Sequence, residues 1–103
     1  MIELTSKQRK FLEKSAQPMT PFVLIGGAGV TEEQIKQILA VIKVHELIKV
    51  KFNEFKDEKK ELARTIEEKT DSTLVRIIGN VAIFYKEAEK MADRKFAKGL
   101  LKA

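Results

Sequence analysis

The stretch PFVLIGGAGVTEEQIKQILAVIKVHELIKVKF, residues 21–52, predicts a strand, a glycine turn, a helix and a second strand. Its apolar run FVLI lies between proline and glycine, which is typical of a buried strand. Thr31 and Gln34 have capping-box spacing, and the apolar residues after them recur at helical intervals, which predicts a helix over 32–44. Residues 45–52 alternate, with one side apolar and the other basic, as in a half-buried strand. A β-α-β unit of this kind implies two parallel strands joined by a right-handed crossover.

Two further helices are predicted outside this unit. Thr5 and Gln8 repeat the capping-box spacing and start a lysine-rich first helix, which ends before Pro18. Asp57 is the predicted cap of a third helix that continues to about Lys69.

Residues 73–86 predict a β-hairpin, because Gly79-Asn80 is a two-residue turn signal between two apolar strands. With that turn, Ile78 pairs with Val81, and strand alternation then sorts the other side chains. The face expected under the helices holds Val75, Ile77, Ala82 and Phe84, and the opposite face holds Leu74, Arg76, Ile78, Val81, Ile83 and Tyr85. We expect the first helix or the tail to cover part of that opposite face.

The element order α-β-α-β-α-β-β therefore predicts a compact two-layer α/β domain with a mixed four-stranded sheet. The tail, residues 87–103, reads EAEKMADRKFAKGLLKA. Ala88, Met91, Ala92 and Phe96 have helical spacing, so the tail is either a fourth helix docked on the sheet or a partly ordered basic arm.

Composition limits the classes of function. The chain has 103 residues, a net charge of +5 and no cysteine, which indicates one domain without disulfides or a thiolate site. The basic excess lies in the first 21 and the last 17 residues and favours a polyanionic partner. No apolar run approaches the roughly 20 residues needed to cross a bilayer, and the start lacks a signal-peptide pattern. We therefore expect a soluble, cytoplasmic protein that has no membrane partner.

The residues assemble no catalytic centre. His45 is the only histidine, which excludes a multi-histidine metal site. A Ser-His-Asp triad would have to use this one residue, because the chain has no other histidine. We expect it to bond the last carbonyl groups of the preceding helix. No cofactor, metal site or small-molecule substrate is expected, and we predict that the protein is not an enzyme.

The glycine turn, Gly26-Gly27-Ala28-Gly29, has a GxxG pattern. No lysine follows Gly29 as in a Walker A loop, and the dinucleotide pattern GxGxxG is absent. Small residues before a helix N-terminus allow a sugar-phosphate backbone to approach the main chain, and KH domains hold nucleic acid with such a loop. The alternative is a plain turn.

Basic residues elsewhere favour the nucleic-acid interpretation. Lys49 and Lys51 share one face of a strand, and the first helix is lysine-rich. Arg76 and Tyr85 share a face of the hairpin, where they could stack on bases or form an ordinary strand pair.

Three stretches, LTSKQRKFLEKSAQPMTPFVLIGGAGVTEEQI, HELIKVK and VRIIGNVAIFYK, together resemble the YhbY-type proteins, the stand-alone bacterial form of the CRM domain (chloroplast RNA splicing and ribosome maturation). The resemblance covers about residues 4–86. It implies an RNA-binding domain over 1–86, followed by the tail 87–103, with a fold similar to the C-terminal domain of translation initiation factor three. It also implies association with precursors of the large ribosomal subunit.

The same resemblance implies which residues contact RNA. They are Gly26, Gly27, Ala28, Gly29, Lys49 and Lys51, followed less directly by Lys7, Arg9 and Lys10. Many relatives carry lysine or asparagine inside the GxxG, whereas Gly27 and Ala28 offer only main chain.

Two other functions remain open from the sequence. One is a protein-interaction module that reaches the ribosome indirectly through the apolar hairpin face or the tail. The other is a small-ligand-binding or enzymatic α/β domain at the glycine loop, for which the sequence supplies few converging polar groups.

Overall fold

The computed structural model describes residues 1–103. Its elements, in chain order, are α1 (Ser6–Ala16), β1 (Val23–Ile25), α2 (Glu32–His45), β2 (Leu47–Phe52), α3 (Lys59–Thr70), β3 (Thr73–Ile78), β4 (Val81–Tyr85) and α4 (Ala97–Lys102), with short 3-10 helices at Lys56–Glu58 and Met91–Asp93. The strands form one sheet in the order β1-β2-β4-β3. β1 is parallel to β2 and the other two pairs are antiparallel, so the predicted α/β class and mixed four-stranded sheet are confirmed.

Helices pack on both faces of the sheet. α2 and α3 cover one face over a core that includes Ile38, Phe52 and Ile66. α1 and α4 cover part of the other face, where Leu12 and Leu100 pack against Tyr85. The expectation that the first helix or the tail covers this face is therefore confirmed for both. None of the helices has the length and apolar character needed to cross a membrane.

The caps of the first two helices differ in one respect. Thr5 Oγ1 accepts a hydrogen bond from the Gln8 N–H, and the Thr5 N–H donates to Gln8 Oε1, which completes the predicted capping box. Thr31 Oγ1 likewise accepts from the Gln34 N–H at 3.1 Å. The Gln34 amide, however, donates to the Leu24 carbonyl at 3.2 Å instead of returning to the cap. The second capping box is therefore half formed, because Gln34 ties α2 to β1.

The predicted cap of α3 is wrong. Asp57 lies inside a 3-10 helix, and α3 begins after Glu58 without a side-chain cap. The Glu58 N–H donates to the Phe55 carbonyl at 3.1 Å and closes the 3-10 turn, which places Asp57 inside that turn instead of at the start of α3.

A β-bulge in β3 overturns part of the predicted hairpin register. Leu74 pairs with Phe84 and Arg76 with Ile83, so Val75 is the extra residue. Leu74 consequently packs against the α2–α3 core and Val75 against α1, the reverse of the prediction. The predicted turn and the faces of the other residues are correct, including the Ile78–Val81 pair.

Arg9 stabilises this bulge. Its guanidinium Nη1 donates to the carbonyl oxygens of Leu74 and Val75, each at 2.8 Å. An extra residue disrupts the ladder and leaves carbonyl groups without strand partners, and a charged donor from α1 supplies the missing hydrogen bonds.

A short helix in the tail, α4, packs on the domain, but the predicted helical stripe of the tail is wrong. Residues 87–90 are not helical, and Met91 is 78% exposed because the 3-10 helix that contains it does not face the core. The buried apolar contacts of the tail with the domain come from Phe96 and Leu100 instead.

Glu46 holds the start of the tail. Its carboxylate is buried and accepts hydrogen bonds from the main-chain N–H groups of Ala88 and Lys95. Glu46 is also the C-cap residue of α2, with a positive φ of 63°, and its carbonyl accepts a hydrogen bond from the Lys86 N–H. One residue thus joins the α2–β2 turn to two points of the tail.

His45 does not bond helix carbonyl groups as predicted. It is the last residue of α2, and its ring stacks on Phe22 with the centroids 4.4 Å apart. The carbonyl of Ile42 is taken instead by the Glu46 N–H, at 2.8 Å.

Candidate nucleic-acid interface

The glycine loop joins the end of β1 to the start of α2. The Gly29 N–H donates to the Gly26 carbonyl at 3.0 Å and closes the turn. Gly29 has a φ of 73°, a conformation that favours glycine, whereas a Cβ on Gly26 or Gly27 would meet no atom within 4 Å. The turn therefore requires glycine at position 29 only, and Gly27 and Ala28 expose their main chain to solvent.

The N-terminus of α2 is less open than the loop. Thr31 already satisfies the Gln34 N–H, and the first turn carries the carboxylates of Glu32 and Glu33. These negative charges interact favourably with the helix dipole, and they repel an incoming phosphate. Gly27 and Ala28, which are exposed and whose N–H groups make no hydrogen bond within the protein, are therefore better placed than the helix end to donate to an anion.

Phe55 lies next to the loop, and it was not among the site residues predicted from the sequence. It is 41% exposed, and it follows β2 in a left-handed conformation with a φ of 57°. A depression opens beside the loop, and it is lined by Gly27, Phe55 and five polar residues, of which Glu54, Asp57 and Glu58 are acidic. The signal for it was an aromatic residue within the polar stretch NEFKDE, where a core position is not expected.

Lys51 lies in the middle of an uncovered row across the sheet. Leu24 pairs with Lys51, Lys51 with Val81, and Val81 with Ile78, so the four side chains share one face. Leu24 is 52% and Ile78 47% exposed, and the Lys51 side chain is exposed between them. We call these four residues the open row. Because Leu24 is two residues before Gly26, the open row adjoins the glycine loop.

Three of the predicted site residues form hydrogen bonds or an ion pair within the protein. The Lys49 ammonium donates to the Met19 carbonyl at 3.0 Å and to the Gln17 carbonyl at 3.2 Å, beyond the end of α1. Arg76 Nε lies 3.3 Å from Glu13 Oε2. With Arg9 on the bulge, these side chains have structural partners, and their charge still adds to the field of this face.

Lys7 and Lys10, in contrast, have no hydrogen-bonding or ionic partner in the protein. They line a groove of about 690 Å³ between α1 and α4, together with Lys14 and Lys102, which are equally unpaired. We call it the α1–α4 groove. Lys14 and Lys102 were not among the predicted site residues.

Tyr85 cannot stack on a base beside Arg76. Its ring is fully buried and packs edge-on against Phe96, with the centroids 6.3 Å apart, whereas Arg76 pairs with Ile83 and is exposed. Burial, followed by the nearby carboxylates of Glu46 and Glu87, raises the pKa of Tyr85 to about 12. Tyr85 is therefore a core residue.

Comparison with known proteins identifies the family. The family model of the CRS1 / YhbY (CRM) domain matches residues 4–86. The chain belongs to this family. The CRM match stops at the end of the hairpin, so Lys102 and the rest of the tail lie outside it.

The chain is also similar to several bacterial proteins of comparable length. The chain is 36% identical over 88 residues to "Probable RNA-binding protein YqeI" of Bacillus subtilis, covering 84% of this chain and 92% of that one. It is 35% identical over 91 residues to an RNA-binding protein of Haemophilus influenzae, covering 87% and 92%. A Staphylococcus aureus protein, described as a candidate RNA-binding protein, has a solution structure with a TM-score of 0.75 and 40% identity, covering 90% of this chain and 98% of that one.

Proposed function

We propose that this protein binds RNA without catalysing a reaction, and that its target is ribosomal RNA in precursors of the large subunit, in the cytoplasm. The observation that carries the RNA proposal is the exposed main chain of Gly27 and Ala28 beside Lys51, in a chain whose relatives are named RNA-binding proteins. The ribosomal target rests on the resemblance to YhbY-type proteins.

The proposed contact centres on the glycine loop. Main-chain N–H groups at Gly27 and Ala28 hold one phosphate, because neither residue has a bulky side chain that would keep a sugar-phosphate backbone at a distance. Lys51 neutralises a neighbouring phosphate on the sheet side of the loop. Phe55, on the other side, offers an aromatic face to an unpaired base.

We propose that this RNA contact lies in the domain 1–86 and that residues 87–103 form an accessory tail. The loop offers main-chain donors and Lys51 adds a positive charge, but no set of side chains is aimed at base edges. RNA shape and the position of unpaired bases would therefore supply most of the specificity.

Sedimentation of a cell lysate through a sucrose gradient tests the ribosomal target. We expect the protein to migrate with precursors of the large subunit at low salt and to be released at high salt, because phosphate contacts weaken as salt rises. A protein that stays at the top of the gradient under both conditions would contradict the ribosomal target.

The open row supports one competing function. Leu24 and Ile78 are large, exposed apolar residues, which also suit contact with another protein. Ribonuclease treatment of the low-salt fractions separates the two: an RNA-held complex dissociates when the RNA is digested, and a protein-held complex survives.

A further inference from the structure

The tail is docked on α1 by close contacts. Leu100 is 7% exposed, and its carbonyl accepts a hydrogen bond from the Gln8 amide at 3.3 Å. Gly99 lies so close to the Phe11 ring that a Cβ at this position would be 2.0 Å from Cζ. A side chain at residue 99 would force the Phe11 ring or α4 to move, so the packing of α4 on α1 depends on residue 99.

The path of the tail before α4 is also fixed by polar contacts. Arg94 Nη2 lies 3.1 Å from the Glu87 carboxylate, and Arg94 Nε donates to the Ala88 carbonyl at 2.8 Å. With the two main-chain hydrogen bonds to Glu46, these contacts bring the chain back toward α1. The position of Lys102 therefore follows from the fold of residues 87–101.

The docked tail concentrates positive charge in the α1–α4 groove. Lys7, Lys10 and Lys14 are three and four residues apart and share one side of α1. Lys102 adds a fourth ammonium from α4. Glu13 is the groove's only acidic side chain, and it is paired with Arg76, whereas none of the four lysines forms an ion pair within the protein. Like charges gathered in this way favour an anion with several charges in a row.

We infer that the α1–α4 groove is a second binding site for the phosphodiester backbone of RNA, and that the tail forms one of its walls. This inference rests on the proposed function. The groove shares no residue with the glycine loop, so it would hold a different segment of the RNA. The occupant is a sugar-phosphate chain rather than a small ligand, because the groove is open and seven of the ten residues that line it have charged or polar side chains.

A matched pair of substitutions in α4 tests the inference. Lys102 lines the groove, whereas Lys98 is exposed on the same helix and does not line it. Lys102→Gln and Lys98→Gln thus remove the same charge from the same helix. RNA affinity is measured by fluorescence anisotropy against a labelled fragment of large-subunit precursor RNA over a salt series.

We expect Lys102→Gln to weaken binding about two- to fivefold and to lower the salt slope by about 0.7–0.9. Lys98→Gln should stay within about 1.5-fold of the unsubstituted protein, through long-range charge alone. Equal effects of the two substitutions would contradict RNA binding in the α1–α4 groove, but they would leave the proposed RNA binding at the glycine loop intact. Absence of RNA binding by the unsubstituted protein would instead overturn the proposed function, and the groove with it.

Gly99→Ala tests the role of the tail separately. Alanine is the better helix former, so α4 itself should not suffer, but the added Cβ overlaps the Phe11 ring and displaces α4. We expect Gly99→Ala to weaken binding as much as Lys102→Gln does, and Lys102→Gln to have little further effect in the Gly99→Ala background. Fully additive losses in that double-mutant cycle would contradict the claim that docking positions Lys102. Circular dichroism and a urea unfolding curve confirm that each variant remains folded.

Discussion

Gly29 and Phe55 lie side by side with left-handed backbones, with φ angles of 73° and 57°, and a Cβ on Gly29 would be 3.5 Å from Phe55 Cε2. They belong to two loops that leave neighbouring parallel strands at the same edge of the sheet. The Ile25 carbonyl ties these loops together, since it accepts hydrogen bonds from the N–H groups of Asn53 and Glu54. The glycine loop and the aromatic residue therefore form one surface.

Gly29→Ala should reduce stability, because an L-residue at this φ is strained by about 1–2 kcal/mol. Gly26→Ala is the matched control: its φ is not in the left-handed region and its Cβ would enter open space, so it should be neutral or gain up to about 1 kcal/mol. Urea unfolding measures both free energies. Equal losses in the two variants would contradict the assignment of the turn to Gly29 alone.

Arg9 and Lys10 are adjacent on α1, but substitution of Arg9 should lower stability, whereas substitution of Lys10 should weaken RNA binding. Arg9→Gln removes the charged donor from the two bulge carbonyls and should cost about 1–3 kcal/mol of unfolding free energy. Lys10→Gln should change stability by less than about 0.5 kcal/mol, since the Lys10 ammonium is exposed and unpaired. In RNA titrations Lys10→Gln should weaken binding and flatten the salt dependence. A large stability loss from Lys10→Gln would contradict its placement in an open groove.

Glu46→Ala should loosen the tail. It leaves the N–H groups of Ala88 and Lys95 without their buried carboxylate and should cost about 2–4 kcal/mol. Trypsin should then cut faster after Lys90, Arg94 and Lys95. Glu89→Ala, which changes an exposed neighbour, serves as the control. Unchanged cleavage in Glu46→Ala would show that other contacts hold the tail.

Tyr85 should remain protonated far into the alkaline range. It is the only tyrosine and the chain has no tryptophan, so ultraviolet absorbance follows its phenol alone. The titration midpoint should lie near a pKa of about 12 in the folded protein, against about 10 when the chain is unfolded. Because the folded pKa is the higher one, stability from this group is complete below pH 10 and is lost as pH rises toward 12. A midpoint near 10 in protein that is still folded would contradict the burial of the phenol.

Local signals in the sequence predicted most of the fold. The Thr5–Gln8 cap, the Gly79-Asn80 turn and the alternation of β2 each depend on residues a few positions apart. The bulge at Val75 was missed because the stabilising donor, Arg9, lies more than 60 positions away. A single extra residue reversed the faces of Leu74 and Val75 without changing the hydrophobic pattern.

The candidate site was less predictable than the fold for the same reason. Spacing indicated that Lys49 and Lys51 share a strand face, but Lys49 is held by carbonyl groups that only the packing of α1 brings near. Likewise, Lys102 reaches the lysines of α1 because Glu46 and Gly99 direct the tail, and both contacts span more than 40 residues. Charge and residue type were visible in the sequence, whereas which charges remain unpaired was not.

The central claim is that RNA contacts the main chain of the glycine loop, and a series at Gly27 tests it most directly. Gly27 has open space around it and no left-handed φ, so Gly27→Ala and Gly27→Asp should both fold normally. Ala40→Asp, at an exposed position further along α2, is the control for the added charge. We expect RNA affinity to fall slightly in Gly27→Ala and at least tenfold in Gly27→Asp, with Ala40→Asp changed less than twofold, because a carboxylate would occupy the proposed phosphate position. Equal affinities for Gly27→Asp and Ala40→Asp, both folded, would contradict the claim.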